Sequence, residues 1–246
     1  MNRVLALLGC LVLVLSGCSG NRSSGAITVF APSSAKAAFE EVATAFTGQT
    51  GTEVRFSFLG SQNLVANLAG GAAADVLATA DERTMGRAVE QQLVGTPTNF
   101  AANTLVLVTP PGNPAGITGL DRSLDGRRLV ICDEAVPCGN ATATLAQRLG
   151  ISLAPVSKEQ KVSDVLAKVT TGEADAGVVY GTDARTAGDR VTTIRVPGAD
   201  QVVNNYPIAV TADPHDRAAA QAFVDFVLGP AGRQILTAHG FRDPRG

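Results

Sequence analysis

Four segments of the chain set polar or small residues just ahead of a helical pattern: Ser33-Ser34, Ser61, Pro137-Cys138-Gly139-Asn140 and Gln160-Lys161-Val162-Ser163. The first turn of a helix carries N–H groups with no intrahelical acceptor and about half a positive charge. Four such turns aimed at one point would offer on the order of +2 without a single cationic side chain. That environment suits a small dianion. Taken singly, each serine is an ordinary N-cap worth about 1 kcal/mol. Only convergence would make a site of them.

Residues arranged for bond-making chemistry are not found. Gly60-Ser61-Gln62-Asn63 lacks the second glycine of a nucleophile elbow, and no His-Glu-x-x-His, Walker loop or Gly-x-Gly-x-x-Gly occurs. His215 lies beside Pro214 and His239 just before Gly240, so both read as solvated. Asp81-Glu82 opens a helix, where negative charge suits the dipole, and Asp75 starts a strand after Gly70-Gly71. These carboxylates read as structural, and Arg55, Arg83 and Lys161 as surface residues. The expectation is a binding protein: not an enzyme, with no cofactor and no bound metal cation.

The elements that must position these turns alternate. Short β-branched runs predict strands at 27–30, 53–58, 75–78, 104–108, 128–132, 176–180, 191–196 and 206–210. Helical spacing predicts helices at 34–46, 61–68, 81–91, 140–149, 162–170, 216–228 and 231–239. In the first, Ala35, Ala38, Phe39, Val42 and Phe46 share a face; in 216–228, Ala219, Ala222, Phe223, Phe226 and Val227 do. The alternation predicts an α/β architecture with mixed, mainly parallel sheets flanked by helices. Crossings near 105–110 and 203–208 divide it into two lobes, 26–106 with 206–246 and 107–205. A cleft between lobes is the default ligand site.

The N-terminus reads as an address. Residues 1–17 have the form of a signal peptide: Arg3, then an apolar run over 4–15 that is too short to span a bilayer. It ends in Leu15-Ser16-Gly17-Cys18, which resembles a bacterial lipobox and predicts lipidation at Cys18. Residues 18–25 then form a Gly/Ser-rich tether, placing the folded part at the extracytoplasmic face of the cell membrane. With Cys10 removed and Cys18 lipidated, Cys132 and Cys138 remain as an even pair in an oxidising compartment. A disulfide is expected, a free or redox-active pair being the alternative. The 246 residues are 45% hydrophobic and 17% charged, which excludes a disordered chain. Twenty Lys+Arg against 22 Asp+Glu, with no basic block, argue against nucleic acid as a partner.

Read in order, these segments resemble the molybdate-binding component of ABC uptake transporters, a type II periplasmic-binding-protein family. Ile27-Thr28-Val29-Phe30-Ala31 with Ser33-Ser34 is similar to its opening strand and serine turn, and Phe58-Leu59-Gly60-Ser61-Gln62-Asn63-Leu64 to its second. Val136-Pro137-Cys138-Gly139, Gly177-Val178-Val179-Tyr180-Gly181-Thr182-Asp183-Ala184 and Tyr206-Pro207-Ile208-Ala209-Val210 extend the likeness through most of 26–242. The resemblance implies oxyanion binding by Ser34 and Ser61, by the backbone N–H groups of Cys138 and Val162, and by the Tyr180 hydroxyl; Ser33 is a neighbouring candidate. Many relatives carry alanine where Cys138 stands, a change that leaves backbone donation intact. It further implies a monomeric receptor for molybdate or tungstate that serves an ABC permease and its ATPase. The alternatives are the same scaffold tuned to sulfate or another small oxyanion, and a two-lobed small-molecule enzyme.

Overall fold

A computed structural model describes residues 25–244. The signal peptide, Cys18 and all but the last residue of the 18–25 tether lie outside the described residues. Among the described residues no helix is long and apolar enough to cross a membrane.

Among the described residues ten strands form two five-stranded sheets. The first contains β1 (Ile27–Pro32), β2 (Val54–Leu59), β3 (Val76–Ala78), β4 (Thr98–Asn103) and β10 (Asn204–Val210), in the order β2-β1-β3-β10-β4. The second contains β5 (Leu105–Thr109), β6 (Leu129–Cys132), β7 (Ser157–Glu159), β8 (Ala176–Tyr180) and β9 (Thr192–Ile194), in the order β7-β6-β8-β5-β9. The two orders are equivalent. β10 is antiparallel to both its neighbours in the first sheet, and β5 to both its neighbours in the second. Four of five strands in each sheet therefore point one way, and the reversed strand is the one entered by crossing from the other lobe. This is a two-lobed α/β fold with mixed sheets.

The helices are α1 (Lys36–Thr50), α2 (Ser61–Ala69), α3 (Glu82–Glu90), α4 (Pro137–Leu149), α5 (Val162–Thr170), α6 (Gly181–Ala187), α7 (Arg217–Leu228) and α8 (Pro230–Ala238). A short 3-10 turn, Ser33–Ala35, leads into α1. The predicted face of α1 is buried: Ala38, Phe39, Val42 and Phe46 pack in the core with Ala35. Phe39, Phe46, Phe56, Phe100 and Phe223 form its aromatic centre, Phe39 and Phe100 having ring centroids 5.3 Å apart.

The buried face of α7 is rotated from the predicted one, to Ala220, Phe223, Val224 and Val227, leaving Ala222 exposed. Its alanines are too small to fix the phase; the bulky residues decide it. Three elements were not expected. β4 reads TNFAAN, with no β-branched run. β7 is three polar residues at a sheet edge. α6 opens on Gly-Thr-Asp, which reads as a turn. In addition α4 begins three residues before the predicted 140, with Pro137 in its first turn. That brings Cys138 into the helix and next to β6, and Cys132 and Cys138 are joined as a disulfide with Cα atoms 5.7 Å apart.

Candidate functional site

The loops that follow β1, β2, β6, β7 and β8 each start a helical turn at the carboxyl end of a strand. In open α/β sheets ligands gather at such ends. Here the ends from both lobes meet around one small gap bordered by Ser33, Ser34, Gly60, Ser61, Ala80, Cys138, Lys161, Val162 and Tyr180, among others. All six residues singled out from the sequence, Ser33, Ser34, Ser61, Cys138, Val162 and Tyr180, border it. A larger surface cavity of about 690 Å³, between Leu120, Leu124, Ile151 and Val156, shares no residue with it.

Three α-helix starts at the gap, those of α2, α4 and α5, lack side-chain caps. The N-cap positions of α2, α4 and α5 are Gly60, Val136 and Lys161, and none of their side chains bonds the first turn. The 3-10 turn behind Pro32 is likewise uncapped. Two other helices carry a carboxylate cap, Asp81 accepting from the Thr84 N–H at the start of α3 and Asp216 from the Ala219 N–H at the start of α7, while α8 starts on Gly229 without one. First-turn N–H groups left without an acceptor at the gap are available to a ligand.

The hydroxyls are held from behind. Ser61 is buried, and its Oγ accepts from the Ala80 N–H at 3.0 Å. Ser34 Oγ lies 3.0 Å from the Tyr206 hydroxyl. The Tyr180 hydroxyl is buried and has no hydrogen-bond partner among the described residues. Leaving a buried polar group unmatched costs about 1–3 kcal/mol, so this phenol is a donor in want of an acceptor. Burial, reinforced by the Tyr206 hydroxyl and by the charges of Asp81 and Asp183, raises the pKa of Tyr180 well above the ordinary phenol value. Tyr180 therefore stays protonated. Burial likewise raises Tyr206. Asp183, whose Oδ2 accepts from the Tyr180 N–H at 3.1 Å, is pushed up to about 7, burial outweighing that bond.

Lys161 borders the gap, but its ammonium pairs with Asp164 at 3.4 Å. The lobes touch around the rim. Gln62 Nε2 donates to the Gln160 carbonyl at 3.1 Å. Arg83, expected only as a surface residue, is exposed yet donates across the cleft to the carbonyls of Glu134 and Ala135 at 3.2 and 3.1 Å. Arg55 pairs locally with Glu53. His239 bonds Glu41 at 2.7 Å and His215 is exposed; neither borders the gap. Sequence reasoning missed the parts played by Tyr206, Gln62 and Arg83, because each depends on which lobe faces which. Among the described residues no cluster of three or more His, Cys, Asp or Glu side chains is arranged for a metal ion.

Residues 27–242 match the family model of bacterial extracellular solute-binding proteins. The chain belongs to that family. Among solute-binding relatives it is similar to the molybdate-binding protein ModA of Mycobacterium tuberculosis, 45% identical over 221 residues that cover 89% of this chain and 85% of the relative. It is also similar to ModA of Escherichia coli, 33% identical over 229 residues, covering 88% and 89% of the two chains. Among solved structures, the periplasmic molybdate-binding protein of Azotobacter vinelandii superposes with a TM-score of 0.79 at 22% identity, covering 89% of this chain and 99% of that one. The sulfate-binding protein SubI of Mycobacterium tuberculosis gives 0.73 at 21% identity, covering 89% and 87%. These two structural likenesses show the solute-binding fold. The relatives are named for binding rather than for catalysis.

Proposed function

We propose that this solute-binding protein captures molybdate, and tungstate with it, outside the cytoplasmic membrane and passes it to an ABC permease and its ATPase. The observation that carries the reading is the gathering, in one interlobe gap, of three α-helix N-termini without side-chain caps, two serine hydroxyls and a buried, unpartnered phenol. The names of the two ModA relatives support the ligand class.

In this reading Ser34 and Ser61 donate from the first lobe through hydroxyl and backbone. The N–H groups of Cys138 and Val162 and the phenol of Tyr180 donate from the second, with Ser33 beside Ser34. Molybdate is a tetrahedral dianion with no proton of its own, so a ring of donors satisfies every oxygen. Phosphate near neutral pH brings at least one O–H. Buried without an acceptor, that proton costs about 1–3 kcal/mol. Sulfate is all acceptor but smaller, and its shorter bonds leave some donors out of range. Donors on both lobes make the bound anion itself the agent of closure. The mature protein works as a monomer anchored by lipid at Cys18.

A thermal-shift titration of the fragment starting at Ser19 tests this with molybdate, tungstate, sulfate and phosphate. A ligand at 100 times its Kd adds about 2.7 kcal/mol. Molybdate and tungstate should each raise the midpoint at micromolar concentrations, with sulfate and phosphate far behind. Tighter binding of sulfate would assign the site to that anion instead.

A further inference from the structure

The two serines at the gap are each approached from behind by another group, and an O–H has one proton to give. At Ser61 the direction is settled: the Ala80 N–H can only donate, so the Ser61 oxygen accepts and its proton is left for the gap. At Ser34 the partner is a hydroxyl, Tyr206 Oη, and either oxygen could donate. Acidity and burial favour Tyr206 as the donor. Tyr206 is wholly buried, and its ring meets Phe100, Tyr180 and Phe241 edge-on. Its hydroxyl also faces the Tyr180 hydroxyl and the Asn103 amide, whose Nδ2 donates to Thr182 Oγ1 and whose Oδ1 accepts from the Thr104 N–H. The oxygen bonded to Tyr206 is that of Ser34. A phenol is also a stronger acid than an aliphatic alcohol and the better donor of the two.

We infer that Tyr206 is a positioning residue for anion selectivity: its phenol donates to Ser34 Oγ, which takes one of that oxygen's two lone pairs, leaves the Ser34 proton for the gap and biases Ser34 toward donating to the ligand rather than accepting from it. Tyr206 thus does for Ser34 what the Ala80 N–H does for Ser61. Both serines are biased toward donation, and the site discriminates against anions that carry a proton. The inference rests on the proposed oxyanion function and adds the residue that sets its proton preference.

The test is Tyr206→Phe, which keeps the ring and removes only the hydroxyl. Kd values for molybdate and for inorganic phosphate are measured by calorimetry, directly and by competition, in wild type, Tyr206→Phe, Ser34→Ala and the double variant. Tyr206→Phe should weaken molybdate about 3- to 10-fold. It should leave phosphate unchanged or tighter, because Ser34 is then freer to accept, so the molybdate-to-phosphate preference falls by at least threefold. In the Ser34→Ala background Tyr206→Phe should have no further effect on molybdate. An equal loss for both anions, an unchanged molybdate Kd, or a full additive loss in the double variant would overturn the inference while leaving the binding function standing. A wild-type protein that binds neither anion would instead remove the function on which it rests. If Tyr206→Phe does not fold, Ser34→Ala carries the test alone: an unchanged molybdate-to-phosphate ratio there would equally overturn it.

Discussion

Gly60 and the carbonyl of Gln160 face each other across the cleft so closely that a Cβ on Gly60 would sit 2.2 Å from that oxygen. The backbone of Gly60, at φ −66° and ψ 140°, is ordinary extended backbone that alanine adopts freely. Gly60→Ala therefore leaves the backbone of the first lobe unstrained, displaces the flexible Gln62 amide 2.8 Å away, and props the lobes apart. Ligand affinity should drop by tenfold or more while the midpoint of ligand-free unfolding moves little. Calorimetric titration with molybdate and a parallel thermal scan check both halves.

Arg83 should act on release rather than capture. Its two bonds to the Glu134 and Ala135 carbonyls exist only where the lobes meet. The side chain is 39% exposed, so each bond is worth the lower end of the usual range, about 0.5–1 kcal/mol. Arg83→Ala should speed ligand dissociation by about 5- to 30-fold and change association little. Stopped-flow displacement of molybdate measures the two rates separately.

The pH response follows from Asp183. Its pKa rises from 3.8 to about 7, so between those values the folded protein holds a proton that the unfolded chain has lost. The stability this contributes is complete below about pH 4 and is lost as pH rises through 7. The span is on the order of 4 kcal/mol at most. Denaturant unfolding at pH 5 and pH 8 should show this slope in wild type and a flatter one in Asp183→Asn, whose amide oxygen still accepts from the Tyr180 N–H.

The disulfide should matter to stability more than to recognition. It ties the last residue of β6 to the first turn of α4, closing a loop with a sequence separation of 6. Chain entropy alone gives about 2 kcal/mol for so short a loop. The Cys132→Ser, Cys138→Ser double variant should unfold at correspondingly lower denaturant. It should retain ligand binding, because in the proposed site position 138 donates through its backbone. Loss of binding in a folded double variant would assign the sulfurs a larger part.

Most of the gap's lining was legible in the sequence because its proposed donors sit at helix starts, and helix starts leave local marks: Ser34, Ser61 and Pro137-Cys138-Gly139 each precede apolar periodicity. Its donor polarity was not. The partner of Ser34 is Tyr206, 172 positions away, and that of Ser61 is the Ala80 backbone, which has no signature of its own. The start of α4 was read late because Gly139 looks like a turn residue. Its lack of a side chain serves instead to let the helix lie against β6: a Cβ there would be 1.8 Å from the Asp133 carbonyl. β4 and β7 escaped notice because sheet pairing, rather than composition, makes them strands.

The reversed strands have a mechanical consequence. The chain leaves the first sheet at Asn103 and returns at Asn204, and these residues are partners in the β4–β10 ladder. Two tethers fastened side by side define a single pivot line, as two pins define the swing of a door. A torque applied at the outer ends of the lobes would therefore widen the mouth without stretching either sheet, and cargo could be let go by leverage alone. Spin labels on opposite lobes should separate on opening while pairs within a lobe hold their distance.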